Sequence, residues 1–172
     1  MGADVPKTDV PYDANYIPNK TTLLLTFPDN YGAVIEFKFK EKFINALILK
    51  DATKESVKEY GFFVDHTAEC DYSFMMDFID KIDGIDLALD GKSYRYTGVQ
   101  ICNLVASFKD DTPLRAKILE GVFNKISNSG LRTEALYCII EDTNTTLSVP
   151  SCYGWCEYMK ETCSSFNILN ER

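Results

Sequence analysis

The sequence has almost no histidine and no long apolar run, and both deficits narrow its possible functions. His66 is the only histidine among 172 residues, so metal sites and catalytic centres built from several histidines are excluded. The longest apolar runs are short, such as residues 46–49, whereas a membrane-spanning helix needs about 20 apolar residues. Glycine-rich phosphate loops, calcium loops of the D-x-D-x-D-G type and internal repeats are also missing. We expect no cofactor, no metal and no membrane insertion.

Positive charge is scarce as well. The net charge is −8 and the pI is near 4.7, which argues against nucleic acid as a partner because phosphates demand a basic surface. An acidic protein is suited to a basic protein ligand, since complementary fields speed encounter. The alternative interpretation is that the charge only keeps the chain soluble.

The six cysteines indicate an oxidising compartment. Two N-glycosylation sequons, at Asn19 and Asn144, agree with secretion. No signal peptide is evident, so we interpret the chain as a mature fragment with an added start codon. The alternative is a cytosolic protein with reduced thiols. We expect disulfides among Cys70, Cys102, Cys138, Cys152, Cys156 and Cys163.

The disulfide connectivity is open, because six cysteines allow fifteen pairings. Our preferred pair is Cys70–Cys102, since a helix and a hairpin between them could return one near the other. A zinc site at Cys152, Cys156 and Cys163 is disfavoured because the usual second pair of ligands is missing.

The first half of the chain predicts strands. Residues 1–20 contain three prolines and no periodicity, so they predict an extended arm or linker. Apolar residues favour strands over 21–27 and 43–49. Residues 34–40 alternate, with Ile35, Phe37 and Phe39 predicted to face a core and the three charged residues between and after them to face water.

The second half mixes predicted helices and strands. Apolar spacing predicts a helix over 71–83 capped by Asp71 or Ser73, and Asp90-Gly91 predicts a hairpin turn. Thr112-Pro113 predicts a helix start, followed by a buried stripe. Residues 99–108 and 133–141 are predicted as strands. The sum favours a mainly β fold, a two-sheet β-sandwich with a few short helices, as a single domain over 21–172.

Catalytic constellations are weak. His66 follows Asp65, and Ser56 or Ser73 could complete a hydrolytic triad, but no G-x-S-x-G nucleophile elbow is present. A lone histidine is far more often structural. We therefore predict that the chain is not an enzyme, and keep a secreted hydrolase as the least favoured function.

Two stretches carry a recognisable pattern. In the first, Asn15-Tyr16-Ile17 introduces a strand that ends at Phe27-Pro28. In the second, Cys70 is followed by apolar helix positions, Tyr94, and Cys102 with the predicted strand behind it. Both stretches resemble the secreted chemokine-binding proteins of poxviruses, most of all the SECRET domain fused behind viral tumour necrosis factor receptors. The chain departs from the family at Asp110, where relatives have cysteine, and at Ser107, where relatives have an acidic residue.

The resemblance implies a monomeric secreted decoy that sequesters host chemokines on an acidic sheet face. It also implies that the arm links this domain to preceding receptor repeats. The contacts would come from two neighbouring predicted strands, at Asn103, Val105, Ser107, Glu134, Glu141 and Asp142. The main alternative is another secreted cytokine- or receptor-binding module on a similar sandwich, such as an MHC-like one.

Overall fold

The protein is described by a computed structural model that covers residues 20–39, 41, 43–129, 132–147 and 165–170. Its strands are β1 (Lys20–Phe27), β2 (Tyr31–Lys38), β3 (Phe43–Lys50), β4 (His66–Glu69), β5 (Ile85–Leu89), β6 (Lys92–Tyr96), β7 (Asn144–Thr145) and β8 (Ser165–Asn170). Its helices are α1 (Lys54–Lys58), α2 (Tyr72–Lys81), α3 (Gly98–Ser107), α4 (Thr112–Ser129) and α5 (Arg132–Asp142). A 3₁₀ turn, Pro28–Asn30, joins β1 to β2.

The main sheet is mixed, with strand order β7-β4-β1-β2-β3-β8 in the described part of the chain. Its centre is an antiparallel meander of β1, β2 and β3, in which Tyr31 pairs with Phe27 on one side and with Lys50 on the other. The outer strands β4 and β8 add in parallel to β1 and β3. Strands β5 and β6 form a separate hairpin.

The central strands are buried on both faces. Leu23, Ile35 and Phe37 belong to the core between the sheet and the helices, which also contains Leu119 and Phe123 of α4. On the opposite face Leu24, Val34, Leu47 and Leu49 pack against Val57 of α1 and against Phe62. The strand predictions for 21–27 and 43–49 are confirmed, and so is the burial of Phe37 and Phe39, which are 7% and 1% exposed. The predicted water-facing side of β2 is wrong, because Glu36 is only 6% exposed.

The helix predictions over 71–83 and from Thr112 are confirmed. Asp71 caps α2 by accepting a hydrogen bond from the Phe74 amide. The predicted hairpin at Asp90-Gly91 is also present, with both residues at positive φ as such a turn requires. Helices α2, α3 and α4 enclose a second core against this hairpin, built around Ile79, Ile85, Ile101, Val105 and Ile118.

The β-sandwich prediction is wrong, because two of its strands are helices. Residues 99–107 lie in α3 and Phe108 is its C-cap; Ile101, Cys102 and Val105 are buried at helical spacing. Residues 133–141 lie in α5, where Ala135 and Ile139 are buried one turn apart. The fold is therefore mixed α/β, with helices rather than a second sheet covering the main sheet. Within the described ranges, no helix has the length and apolar character that a membrane span requires.

Candidate functional site

An apolar cavity of about 160 Å³ lies between the main sheet and the helices α2, α4 and α5. Strands β1, β2 and β3 supply its floor, and α2 and α4 supply most of its roof. The lining is almost wholly aliphatic and aromatic, with Leu25, Ile35, Phe74, Leu119, Val122 and Phe123 among its members. A cavity lined in this way stays dry and accepts apolar ligands.

The cavity is elongated along α4. Helix residues from Arg115 to Ser127 line it, a separation of about 18 Å at 1.5 Å per residue. Strand β2 lines it from Tyr31 to Phe37, about 20 Å at 3.3 Å per residue. The sheet and the helix thus run beside each other over the same length, with Tyr31 and Arg115 at one end.

Arg115 is the one charged residue that lines this cavity among the residues described. It lies on the same helical stripe as Leu119 and Val122, so the packing of α4 that buries those side chains also buries the guanidinium. Arg115 is only 7% exposed. Burial lowers the pKa of Arg115 from its usual value, and the carboxylate of Asp29 opposes that effect.

The contacts of Arg115 leave part of its hydrogen-bonding capacity unused. The guanidinium carbon lies 3.9 Å from the centroid of the Tyr31 ring, a cation–π contact. Nη2 donates to the carbonyl oxygen of Lys109 at 3.1 Å and lies 3.9 Å from Oδ2 of Asp29. Nε is buried and has no hydrogen-bond partner within the described part of the chain. An unpaired donor of this kind costs free energy and indicates a missing acceptor.

Asp29 is positioned by an unusual backbone. It and Asn30 adopt positive φ values of 63° and 60°, a left-handed conformation that aspartate and asparagine tolerate better than most residues. Its Oδ2 atom accepts a 2.6 Å hydrogen bond from the Tyr72 hydroxyl. Burial, followed by this bond, raises the pKa of Tyr72 to about 12. The tyrosine therefore stays protonated and keeps donating to Asp29.

A second cation lies next to Tyr31 in the sheet. Lys50, at the end of β3, is the register partner of Tyr31, so the two side chains point to the same face of the sheet. Lys50 Nζ lies 2.7 Å from Oδ1 of Asp110, in the connection between α3 and α4. The hydrogen bond from Lys50 holds the pKa of Asp110 below its usual value, and Arg115 adds to the effect.

The residues predicted to bind a partner do not form a sheet face. Asn103 and Ser107 are exposed on α3, but Val105 is 2% exposed and belongs to the core. Glu134, Glu141 and Asp142 are exposed on α5, and Asp142 forms an ion pair with Lys81. The two neighbouring strands predicted to bind a partner are therefore two helices, α3 and α5.

The predicted disulfide between Cys70 and Cys102 is not formed. Cys70, Cys102 and Cys138 are free thiols, and the Cys102 thiol contacts the carbonyl oxygen of Tyr72 at 3.6 Å. Burial raises the pKa of Cys70 to about 12. The described residues do not include Cys152, Cys156 and Cys163. They also leave out the predicted arm up to residue 19, with the sequon at Asn19. The second sequon asparagine, Asn144, is exposed in β7.

Ser56, Asp65 and His66, which were considered for a hydrolytic triad, make other contacts in the structure. The Ser56 hydroxyl takes part in the capping box of α1 with Thr53. The Asp65 carboxylate accepts a hydrogen bond from the Thr22 amide at 2.9 Å. His66 lies in β4 with Nδ1 3.4 Å from Oγ1 of Thr146. Among the described residues, no group of three or more potential ligand side chains is arranged to hold a metal ion.

Sequence reasoning missed Arg115, although the stripe that carries it was found. An arginine in register with the buried positions of an amphipathic helix is a usable signal, because an arginine is rarely buried without a partner. Asp29 lay inside a turn cluster and carried no comparable signal.

No family model matches the chain, and no curated protein matches it in sequence. Solved structures do match in fold. TagT of B. subtilis is 15% identical, with a TM-score of 0.68 over 91% of this chain and 81% of that one. The LytR-CPS2A-psr family protein YwtF (TagT) with a bound octaprenyl pyrophosphate lipid is 14% identical, with a TM-score of 0.66 over 92% and 79%. A putative transcription regulator from Eubacterium siraeum is 12% identical, with a TM-score of 0.67 over 95% and 88%.

These comparisons overturn the resemblance to poxvirus chemokine-binding proteins. The fold is the one found in TagT, a protein of the LytR-CPS2A-psr family. The predictions of a viral chemokine decoy and of chemokines as partners followed from that resemblance, and they are wrong. The prediction of a chain without enzymatic activity followed from the lack of a catalytic constellation, and it is wrong as well.

Proposed function

We propose that this chain binds a lipid with a pyrophosphate headgroup and transfers the phosphate-linked group to an acceptor hydroxyl. The observation that carries the proposal is Arg115, a buried arginine with an unpaired Nε at one end of an apolar cavity. An arginine in this setting fits a phosphate oxygen, because charge-assisted hydrogen bonds to phosphate are strong and directional.

The cavity supplies the tail site. Its volume of about 160 Å³ resembles that of an engineered protein cavity of about 150 Å³ that binds benzene. It therefore encloses the part of an apolar chain nearest the headgroup, and a longer tail requires the roof helices to move apart. The bound lipid in the YwtF (TagT) structure, octaprenyl pyrophosphate, has the same two parts, an apolar tail and a phosphate headgroup.

Transfer would follow from the placement of Asp29 beside Arg115. In the proposed step an acceptor hydroxyl oxygen attacks the phosphorus that carries the transferred group. The bond from that phosphorus to the bridging oxygen breaks, and the lipid leaves as its monophosphate. Asp29 receives the hydroxyl proton, while Arg115 stabilises the negative charge that develops on the phosphate oxygens. Tyr72 holds the Asp29 carboxylate in place throughout.

The binding experiment is calorimetric titration of the protein with farnesyl pyrophosphate. We expect Arg115→Met to weaken binding by at least about tenfold, because a hydrogen bond to a charged group contributes about 1.5–3 kcal/mol. Arg95→Met is the matched control, since Arg95 is 53% exposed and pairs with Asp83 and Asp86 on the hairpin. Equal affinities for the two variants would remove Arg115 from the site.

The transfer experiment uses a prenyl pyrophosphate-linked sugar and follows the prenyl monophosphate product by mass spectrometry. We expect product with the wild-type protein in the presence of a glycan acceptor, and its loss in Asp29→Asn. Binding without any prenyl monophosphate would leave a lipid-phosphate carrier and exclude the transferase.

A further inference from the structure

The connection between α3 and α4, together with the first residue of α4, is attached to groups at the end of the cavity where the headgroup is proposed to bind; this segment is residues 108–112. Asp110 pairs with Lys50 at 2.7 Å, and the Lys109 carbonyl oxygen accepts from Arg115 at 3.1 Å. The hydroxyl of Thr112 lies 3.2 Å from that of Tyr31. We call residues 108–112 the strap.

Each attachment uses a group that an anionic headgroup would also use. Arg115 directs one of its donors to the strap, whereas its Nε has no partner in the described chain. Lys50 lies on the same face as Tyr31, the residue over which the Arg115 guanidinium rests. A phosphate that reaches Arg115 at this end of the cavity therefore comes within the field of Lys50.

Asp110 resembles a ligand in its chemistry, since it presents an anionic oxygen to the ammonium of Lys50. The pair is exposed, with 49% of the Lys50 side chain and 79% of the Asp110 side chain accessible. Exposed ion pairs of this kind contribute little to stability, so a competing anion of higher charge can replace one. A pyrophosphate carries more charge and more acceptor oxygens than a carboxylate.

We infer that the strap is autoinhibitory: the Asp110 carboxylate occupies Lys50 until an anionic headgroup displaces it, and binding of the headgroup releases residues 108–112. The inference rests on the proposed function and adds to it a second cation for the headgroup and an internal competitor. It also predicts selectivity, because a diphosphate can contact Arg115 and Lys50 together whereas a single neutral headgroup gains nothing from either.

The test is calorimetric titration with farnesyl pyrophosphate of the wild-type protein, Asp110→Asn and Asp90→Asn. The last variant removes the same charge from an exposed turn residue whose positive φ of 50° asparagine tolerates. We expect Asp110→Asn to bind about threefold more tightly than the wild type, in keeping with the modest strength of an exposed pair. Asp90→Asn should change the affinity by much less.

A second pair of variants isolates Lys50. Lys50→Gln should weaken binding of farnesyl pyrophosphate. In the Lys50→Gln background, Asp110→Asn should raise the affinity no more than Asp90→Asn does, because the Asp110 carboxylate no longer has Lys50 to occupy. If wild type binds and Asp110→Asn behaves like Asp90→Asn, the strap is wrong and the lipid-phosphate site stands. If none of the proteins binds farnesyl pyrophosphate, the proposed function fails and the strap fails with it.

Discussion

The guanidinium of Arg115 rests over the ring of Tyr31, 3.9 Å from its centroid. The ring covers one face of the cation and the surrounding core excludes water, yet Nε receives no acceptor from the described residues. A buried charge that is only partly satisfied is expensive, and proteins keep such groups where a ligand completes them. We therefore expect Arg115 to contribute strongly to ligand binding and little to the free energy of unfolding, so that the two effects can be measured separately.

Arg115→Met should leave the free energy of unfolding within about 1 kcal/mol of the wild type, because the variant loses the contacts to Lys109 and Asp29 but also removes the buried, unpaired Nε donor. Chemical denaturation of the protein without ligand measures this value. Asp29 keeps its hydrogen bond from Tyr72 in the variant. A loss of more than about 3 kcal/mol would identify Arg115 as a structural residue.

A substitution that fills the cavity should weaken binding of the apolar tail without weakening binding of the headgroup. Val122 lines the cavity on α4, so Val122→Phe should weaken binding of farnesyl pyrophosphate while leaving inorganic pyrophosphate unaffected. Val99→Phe is the control, since Val99 is 51% exposed on α3 and lines neither site. Equal losses for both ligands would mean that the substitution distorts the whole site instead of shortening the tail cavity.

Much of the fold could be predicted from local pattern alone. Strands β1 and β3, helix α2, the β5–β6 hairpin and helix α4 follow from apolar spacing, caps and turn residues. The register of the meander and the parallel addition of β4 and β8 could not, because long-range pairing leaves no local trace. That difference explains why elements were found and their arrangement was not.

Helix α3 was predicted as a strand because an alternation of apolar residues was given more weight than a helix-capping signal in the same stretch. Alternate apolar residues at 104, 106 and 108 favoured a strand, but Thr97 and Gln100 form a capping box just before the apolar run. Within the helix the buried residues follow helical spacing, and Phe108 is 53% exposed. The capping box was present in the sequence and is the stronger predictor.

The burial of Tyr72, together with its hydrogen bond to Asp29, should make stability depend on pH in the alkaline range. The pKa of Tyr72 is raised to about 12 in the folded protein, above the ordinary value of about 10. Its contribution to stability is therefore complete below about pH 10 and is lost as the pH rises through 12. The free energy of unfolding at pH 9 and pH 11 should fall more in the wild type than in Tyr72→Phe.

Tyr94→Phe provides the comparison for that experiment, because Tyr94 is 55% exposed on the hairpin. It should retain the alkaline fall of the wild type. A Tyr72→Phe variant with the same fall would show that the ionisation of Tyr72 is not coupled to folding.

The free thiols offer a test of the described cysteines and of the predicted compartment together. Cys70 and Cys102 are buried, and burial raises the pKa of both, so iodoacetamide should label them slowly in the folded protein. Cys138 is half-buried and should react first. In denaturant without reductant all three should be alkylated, as peptide mass spectrometry would show. If Cys70 and Cys102 reacted only after reduction, they would be disulfide-bonded, against the structure. Secretion remains a prediction, and it then depends on Cys152, Cys156 and Cys163, of which two can pair with each other. Alkylation of all six cysteines in the unreduced protein would contradict it.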